Sequence, residues 1–222
     1  MARPILVVDL EATCWEGQQE IADMEVIEFG CVVVAGDGSV EREFSTFVRP
    51  VKSPTLTQFC TDLTSITQED VEAAPEFRGA CARIDEWLGS TRGLIWGSWG
   101  YYDEKQLRVE GERHGVAPAF LDVPHVNLKK LWQKTQKCKP AGLRGALRYH
   151  GLDFQGSPHR GIDDARNIAR LLPNISRDRI NAAVDAWRAC GAAERTAGGA
   201  GRLGPGHLYR GPGSVHAAPA FG

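Results

Sequence analysis

The fold is decided by a short apolar segment that ends in two acidic residues and reads Ile5-Leu6-Val7-Val8-Asp9-Leu10-Glu11-Ala12-Thr13-Cys14-Trp15. Its first four residues are apolar and three of them are β-branched, which is typical of a buried β-strand. Side chains two positions apart on a strand point to the same face, so we expect Asp9 and Glu11 to face one place. Carboxylates held that close repel each other and are costly to desolvate, and a hard cation such as magnesium would relieve both costs.

The alternative for this pair is that Asp9 and Glu11 simply end the strand where it reaches solvent. The segment by itself leaves both interpretations open. A metal site requires further carboxylates, which must come from later parts of the chain.

The segment His159-Arg160-Gly161-Ile162-Asp163-Asp164 carries the next candidates. A helix is predicted from Ile162 to Leu172, and at about 100° per residue Asp164 lies at the edge of its apolar stripe while Asp163 lies opposite. We therefore expect Asp164 to border the core and Asp163 to face water, with His159 within reach of the same place. Alternatively, both aspartates are favourable first-turn residues and His159 is an ordinary surface residue.

Asp103 is the remaining candidate, and it begins a helix that Gly115 should end. Taken alone, Asp103 suits the N-cap position, because Gln106 follows three residues later as in a capping box. Asp103 can serve as a metal ligand only if the other carboxylates lie close to it.

Composition indicates an ordinary globular protein. The chain has 222 residues, of which 42% are hydrophobic and 24% charged, and its formal net charge is −2. No apolar run approaches the roughly 20 residues that span a bilayer, and the start lacks a signal-peptide pattern, so we expect a cytoplasmic protein with no membrane partner. The six cysteines are scattered without a Cys-x-x-Cys pair, which favours reduced thiols over a zinc site.

The order of predicted elements indicates an α/β fold. Strands are predicted at the opening segment, at residues 26–34 and at residues 41–48, close enough to form an antiparallel meander. A shorter strand is predicted near residues 93–97, and residues 123–128 form either a fifth strand or the lead into a helix. The alternation with helices favours an α/β sheet flanked by helices, which is a mixed five-stranded sheet if residues 123–128 form a strand. We expect a domain at residues 4–175, a helix packed on it at 176–190, and a disordered Gly/Ala/Pro-rich tail at 191–222.

Taken together, the acidic positions follow a recognisable order: Asp9-Leu10-Glu11, then Asp103, then His159-x-x-x-x-Asp164. In this order the chain resembles the DEDDh family of 3′→5′ exonucleases, which have an RNase H-like fold. The resemblance covers about Pro4 to Asn174. One departure is the Gly100-Tyr101-Tyr102 spacing before Asp103, where the eukaryotic members place the aspartate closer to the tryptophan.

Segments around these motifs resemble the branch that contains the histone-mRNA and small-RNA 3′ exoribonucleases. They are Asp9-Leu10-Glu11-Ala12-Thr13-Cys14, Phe59-Cys60-x-x-Leu63-Thr64-x-Ile66-Thr67-Gln68, Trp96-Gly97-Ser98-Trp99 and His159-x-Gly161-x-Asp163-Asp164-Ala165-x-Asn167-Ile168-Ala169-Arg170. The resemblance implies hydrolysis of single-stranded nucleic acid, RNA before DNA, to nucleoside 5′-monophosphates. The alternatives are a DNA-directed exonuclease and a catalytically silent RNA-binding adaptor on the same fold.

The resemblance also implies a ligand set and a general base. Asp9, Glu11, Asp103 and Asp164 would hold two Mg²⁺ ions, for which Mn²⁺ could substitute, and His159 would accept a proton from the attacking water. The implied substrate contacts are Ala12, Thr13, Trp15 and Leu63. For Leu63, packing in the core is the alternative.

A basic stretch supplies candidates for binding phosphate. Between Val126 and His150 there are seven Lys and Arg residues and no acidic residue. We expect Lys137 and Arg144 among them to contact the nucleic-acid backbone. The alternative is that this stretch is the solvated face of two helices.

Overall fold

The computed structural model describes residues 3–197, and their side chains through residue 190. A mixed sheet runs through its centre, as predicted. Its strands are β1 (Ile5–Ala12), β2 (Val26–Val34), β3 (Val40–Phe47), β4 (Ile95–Ser98) and β5 (His125–Asn127). The strand order is β3-β2-β1-β4-β5, with β1, β2 and β3 joined antiparallel and β4 and β5 added in parallel. β1, which carries both acidic residues of the opening segment, lies in the middle.

Helices cover both faces of the sheet. They are α1 (Gln58–Thr64), α2 (Gln68–Glu72), α3 (Phe77–Leu88), α4 (Tyr102–His114), α5 (Leu128–Gln136), α6 (Leu143–Tyr149), α7 (Gly161–Leu171) and α8 (Arg177–Ala197). Ile5 and Val7 of β1 pack in one core with α5 to α8, whereas Leu6 and Val8 pack on the other face with α3. Because side chains alternate along β1, Asp9 and Glu11 continue the face that α7 covers.

Helix α7 lies unusually close to the sheet where it begins. A Cβ atom on Gly30 of β2 would overlap the backbone of Gly161 and Ile162, and a Cβ on Gly161 would lie 3.0 Å from the Asp9 carbonyl oxygen. Only a pair of glycines allows this approach. The first turn of α7 is thereby placed directly over the end of β1.

Two boundaries differ from the sequence-based expectation. Helix α4 begins at Tyr102 with Tyr101 as its N-cap, so the interpretation of Asp103 as the cap is wrong. Helix α8 continues to Ala197, past the expected end at residue 190, through the helix-favouring Ala192-Ala193-Glu194-Arg195 run. The rest of the expected tail, residues 198–222, lies outside the described residues.

The remaining expectations about local structure concern caps, thiols and membrane spans. The capping box at Thr67 and Asp70 is present at the start of α2. All six cysteines are free thiols. No helix in the described part of the chain is long and apolar enough to cross a membrane.

Candidate active site

Three carboxylates meet where β1 passes under α7. Asp9 and Glu11 come from the strand and Asp164 from the first turn of the helix, and one oxygen of each lies within 4.8 Å of the others. Among the residues that the structure describes, this is the one group of His, Cys, Asp or Glu side chains close enough to share a metal ion. Strand alternation predicted that Asp9 and Glu11 share a face, and the helical wheel put Asp164 at the edge of the core. That the three meet was implied by the resemblance to the exonuclease family.

Burial and mutual repulsion make this cluster expensive in its ionised form. Burial raises the pKa of Asp9 well above its usual range, and the charges of Asp164, Asp103 and Glu11 raise it further. The pKa of Glu11 is raised for the same reasons, and burial raises the pKa of Asp164 to about 7. An all-oxygen set that repels itself is the donor set that hard divalent cations choose, so the residues present fit magnesium or manganese.

Asp103 joins this cluster from the other side of β1. Its side chain is only 6% exposed, and its Oδ1 accepts a hydrogen bond from the Leu10 N–H at 3.1 Å. It is close enough to raise the pKa of both Asp9 and Glu11, although it lies outside the group of three. Its carboxylate therefore points back to the sheet instead of capping its own helix.

A buried polar chain behind Asp103 was not foreseen from the sequence. Burial raises the pKa of Asp103 and the nearby Ser98 side chain lowers it. The Ser98 hydroxyl donates to the Gly100 carbonyl at 3.2 Å and lies 3.1 Å from His125 Nε2. His125 Nδ1 in turn lies 3.0 Å from Glu104 Oε2, and Arg108 donates to Glu104 at 2.8 Å. Although burial opposes it, the bonds from His125 and Arg108 lower the pKa of Glu104 to about 2. The chain holds Asp103 in place from the sheet side.

Glu28 is a second residue that sequence reasoning missed. It is fully buried between β2 and α7, where it accepts hydrogen bonds from the Gly161 N–H at 2.9 Å, Arg160 Nε at 3.2 Å and Ser45 Oγ at 3.0 Å. It thus fixes the start of α7, and hence Asp164, to the sheet. The available signal was an acidic residue in the middle of the apolar run of β2.

His159 lies in the loop before α7 and contacts the cluster through its backbone. Its backbone has a left-handed φ of 59°, and its N–H donates to Asp164 Oδ2 at 2.7 Å. Its side chain is exposed. Partial desolvation lowers the pKa of His159, and the nearby Arg144 charge lowers it further. The imidazole is therefore neutral near pH 7 and available to accept a proton.

Asp163, the neighbour of Asp164, forms hydrogen bonds outside the carboxylate cluster. It accepts from the Ser157 N–H at 2.9 Å and from Arg166 at 2.9 Å. Its side chain is 20% exposed, less than the fully solvated position that the helical wheel suggested, because the Gly156 loop packs against it. The wheel nevertheless separated the two aspartates correctly: only Asp164 belongs to the group of three.

The residues that were expected to contact the substrate differ in how exposed they are. Ala12 and Thr13 are buried, and Thr13 Oγ1 accepts from the Glu25 N–H at 2.9 Å. Trp15 is half-buried in the loop after β1, and the half-buried Leu63 packs beside a small apolar cluster under α1. Two basic candidates remain, and both are exposed: Lys137 at the end of α5 and Arg144 on α6. The Arg144 charge lowers the pKa of His159 and of Asp164. In the described part of the chain, Lys137 forms no ion pair with the cluster carboxylates.

The raised pKa values predict how the metal-free protein responds to pH. Between the usual aspartate pKa of 3.8 and about 7, folded Asp164 holds a proton that the unfolded chain has released, and Asp9 and Glu11 act in the same direction. The folded state therefore loses stability as pH rises from about 5 to 7, against an opposing contribution from the lowered pKa of His159. The Cys60 thiol, whose pKa is lowered to about 7, opposes the loss at higher pH. In EDTA we expect the melting temperature to fall over this range, and Mg²⁺ to restore it most at the alkaline end.

Thermal unfolding followed by circular dichroism tests this expectation, at about 2–4 °C per kcal/mol for a domain of this size. Asp9→Asn removes one of the repelling charges and should flatten the dependence on pH. A metal-free melting temperature that rises steadily with pH, or that Mg²⁺ does not change, would contradict the proposed electrostatics.

The chain is similar in sequence to known exonucleases. A family model described as "Exonuclease" (RNase T) matches residues 6–172. The 3′-5′ exonuclease Snipper of Drosophila melanogaster is 32% identical over 198 residues, covering 78% of this chain and 69% of Snipper. ERI1 exoribonuclease 2 of Danio rerio is 31% identical over 197 residues, covering 78% of this chain but only 35% of that protein.

A solved structure shows the same architecture. The nuclease domain of 3′hExo, described as a DEDDh family member bound to rAMP, matches with a TM-score of 0.72 and 28% identity, covering 77% of this chain and 90% of that one. The fold expected from the motifs, a mixed sheet of the RNase H-like kind, is thereby confirmed.

Proposed function

This chain belongs to the RNase T exonuclease family, and from that premise we propose that it is a metal-dependent 3′→5′ exoribonuclease. Its substrate would be single-stranded RNA, which it would shorten from the 3′ end to nucleoside 5′-monophosphates. The observation that carries the proposal is the meeting of Asp9, Glu11 and Asp164 within 4.8 Å, with the His159 N–H bonded to Asp164.

The metal requirement follows from the donor set. Exonucleases of the DEDDh family depend on divalent metal ions. We propose that Asp9, Glu11 and Asp164, together with Asp103, would hold two Mg²⁺ ions, or Mn²⁺ in their place. When bound, the ions would lower the pKa of the attacking water and neutralise charge on the leaving 3′ oxygen.

Protein groups supply the remaining steps. The neutral imidazole of His159 would accept the proton of the attacking water at a ring nitrogen, because its lowered pKa keeps it unprotonated near pH 7. The bond from the His159 N–H to Asp164 keeps the base and a metal ligand in fixed relation. Glu28 and the Ser98–His125–Glu104 chain hold Asp164 and Asp103 in place, so that little reorganisation is needed during reaction.

The names of the proteins that resemble this chain favour RNA over DNA as its substrate. One compared relative is named an exoribonuclease and the solved structure is described with a bound ribonucleotide, whereas Snipper is named only as an exonuclease. A catalytically silent adaptor is disfavoured, because a binding module has no need to keep all five polar residues that catalysis would require. A DNA-directed exonuclease is the alternative that the experiment must separate.

The deciding experiment follows two 5′-labelled oligonucleotides of one sequence, made as RNA and as DNA, each with Mg²⁺ or with EDTA. We expect a stepwise ladder from the 3′ end with RNA, less or none with DNA, and no cleavage in EDTA. The Asp9→Asn protein is the control for contaminating nucleases. Internal cleavage products, or full activity in EDTA, would refute the mechanism.

Trp15 provides a prediction about how the terminal nucleotide is held. The half-buried indole follows directly on the metal-binding strand, and Leu63 lies on the neighbouring helix α1. If the two flank the last base, stacking of about 1–3 kcal/mol per base would be lost in Trp15→Ala. We expect binding of single-stranded RNA to weaken roughly ten- to a hundredfold, with little dependence on sequence.

Fluorescence anisotropy in the Asp9→Asn background measures this effect. Trp87→Ala is the matched control, since Trp87 is also half-buried but stacks on Phe44 under α3, on the other face of the sheet. If Trp15→Ala binds RNA like its parent and only melts at a lower temperature, Trp15 is a packing residue and this assignment is wrong.

A further inference from the structure

A small pocket opens next to the loop that carries His159. It has a cavity volume of about 270 Å³ and is lined by Arg144, Arg148, Leu152, Asp153 and Phe154. We propose that this pocket is a subsite for a nucleotide upstream of the scissile bond, whose phosphodiester lies between the two guanidinium groups. The inference rests on the proposed function and specifies where the rest of the substrate binds.

The guanidinium groups in this pocket are free to bind an anion. Neither Arg144 nor Arg148 forms an ion pair with a carboxylate in the described part of the chain, whereas Arg160 and Arg166 on the same side of the sheet both do. Arg144 lies over the ring of Phe154, with 5.6 Å between its guanidinium carbon and the ring centroid. This stacking holds the planar fork in one orientation, which suits the two oxygens of a phosphate.

The pocket wall is anchored to helix α7. Arg170 donates to the Asp153 carbonyl oxygen at 2.8 Å. The fully buried Asn167 side chain accepts from the Gln155 N–H at 3.1 Å and donates to the Gln155 carbonyl at 2.8 Å. Phe154 lies between these two fixed residues, so the wall is preformed and a ligand need not order it.

The position of the pocket fits a strand whose 3′ end lies at the carboxylates. Asn167, which holds the pocket wall, lies about one helical turn after Asp164 on α7, so the pocket is close to the carboxylate cluster. An incoming strand meets a strongly acidic cluster at its end, so positive charge beside that cluster is needed to hold the preceding phosphate. Asp153 at the rim would repel a phosphate, which assigns the phosphate to the arginine side of the pocket.

Binding measurements in the Asp9→Asn background test the subsite without turnover. A 5′-labelled oligouridylate is titrated at several salt concentrations, and melting temperatures confirm that each variant is folded. Arg148→Gln and Arg144→Gln should each weaken binding about three- to tenfold and reduce the slope of log K against log salt by about 0.7, the value for one single-strand phosphate contact. Arg144→Lys keeps the charge but loses the planar fork, so it should keep the slope and bind several-fold more weakly.

Arg83→Gln is the matched control, because Arg83 is exposed on α3 on the opposite face of the sheet. It should change neither affinity nor slope. Equal affinities and slopes for parent, Arg148→Gln and Arg144→Gln would overturn the subsite, as would no measurable binding by the parent. If the unmutated protein fails to degrade RNA yet these arginines still govern binding, the proposed function is wrong and the subsite stands.

Discussion

Replacing Asp9 by asparagine is expected to abolish hydrolysis of RNA while leaving the fold intact. Asp9 is fully buried among carboxylates whose charges raise its pKa, and it would be one of the metal ligands. The substitution removes a ligand but no packing, because asparagine has nearly the same shape. We expect the rate to fall by on the order of 10³-fold or more, since losing even one preorganised electrostatic group costs about 10²–10³. Initial rates with labelled RNA in saturating Mg²⁺ measure the loss.

The two adjacent aspartates of α7 provide an internal control for this prediction. Asp164→Asn should be nearly as damaging as Asp9→Asn, because Asp164 belongs to the group of three. Asp163→Asn should do far less, since Asp163 contacts Ser157 and Arg166 outside that group. Equal losses for both variants would refute the assignment of Asp164 as the ligand.

Replacing His159 by alanine is expected to lower kcat about 10²–10⁴-fold, the usual contribution of a general base. Metal-dependent binding of RNA should persist, because the contact from His159 to Asp164 is made by the backbone N–H and survives the substitution. Binding and turnover therefore separate in this variant, which anisotropy and initial rates measure on the same preparation.

The pH profile identifies the role of His159 more sharply. Its pKa lies below the usual 6.5, so the unmutated protein should lose activity only in acid, as the imidazole becomes protonated. In saturating Mg²⁺, which keeps the carboxylates ionised, that acid limb should disappear in His159→Ala, and rising pH should partly restore the rate through hydroxide. His114→Ala, which removes a histidine paired with Glu110 on α4, should keep the acid limb. An unchanged acid limb in His159→Ala would exclude this histidine as the base.

Features that depend on local periodicity could be predicted from the sequence. The meander of β1, β2 and β3 follows from two apolar runs and one turn signal, and the structure has these strands within a residue or two of the expected bounds. Strand alternation predicts that Asp9 and Glu11 lie on the same face of β1. The helical wheel predicts that Asp164 and Asp163 lie on different sides of α7. Each depends only on residues close together in the chain.

Features that depend on contacts between distant segments could not be predicted. The chain from Ser98 through His125 to Glu104 exists because β4 and β5 pair in parallel, which sets His125 opposite Trp96, two residues before Ser98. Asp103 matched the rule for an N-cap, but Leu10, 93 residues earlier in the chain, offers a free N–H that a local rule does not consider. Glu28 acquires its role only when α7 folds over β2.

The glycine contact between β2 and α7 has a consequence for redesign. Any side chain at Gly30 or Gly161 would lift the helix from the sheet, and Asp164 travels with that helix. A larger residue at either position would therefore displace both the helix and its metal ligand. A stabilising substitution elsewhere would not return Asp164 to its place. A scaffold meant to receive this metal centre must supply the two glycines as well as the acids, because the distance from strand to helix is set by them.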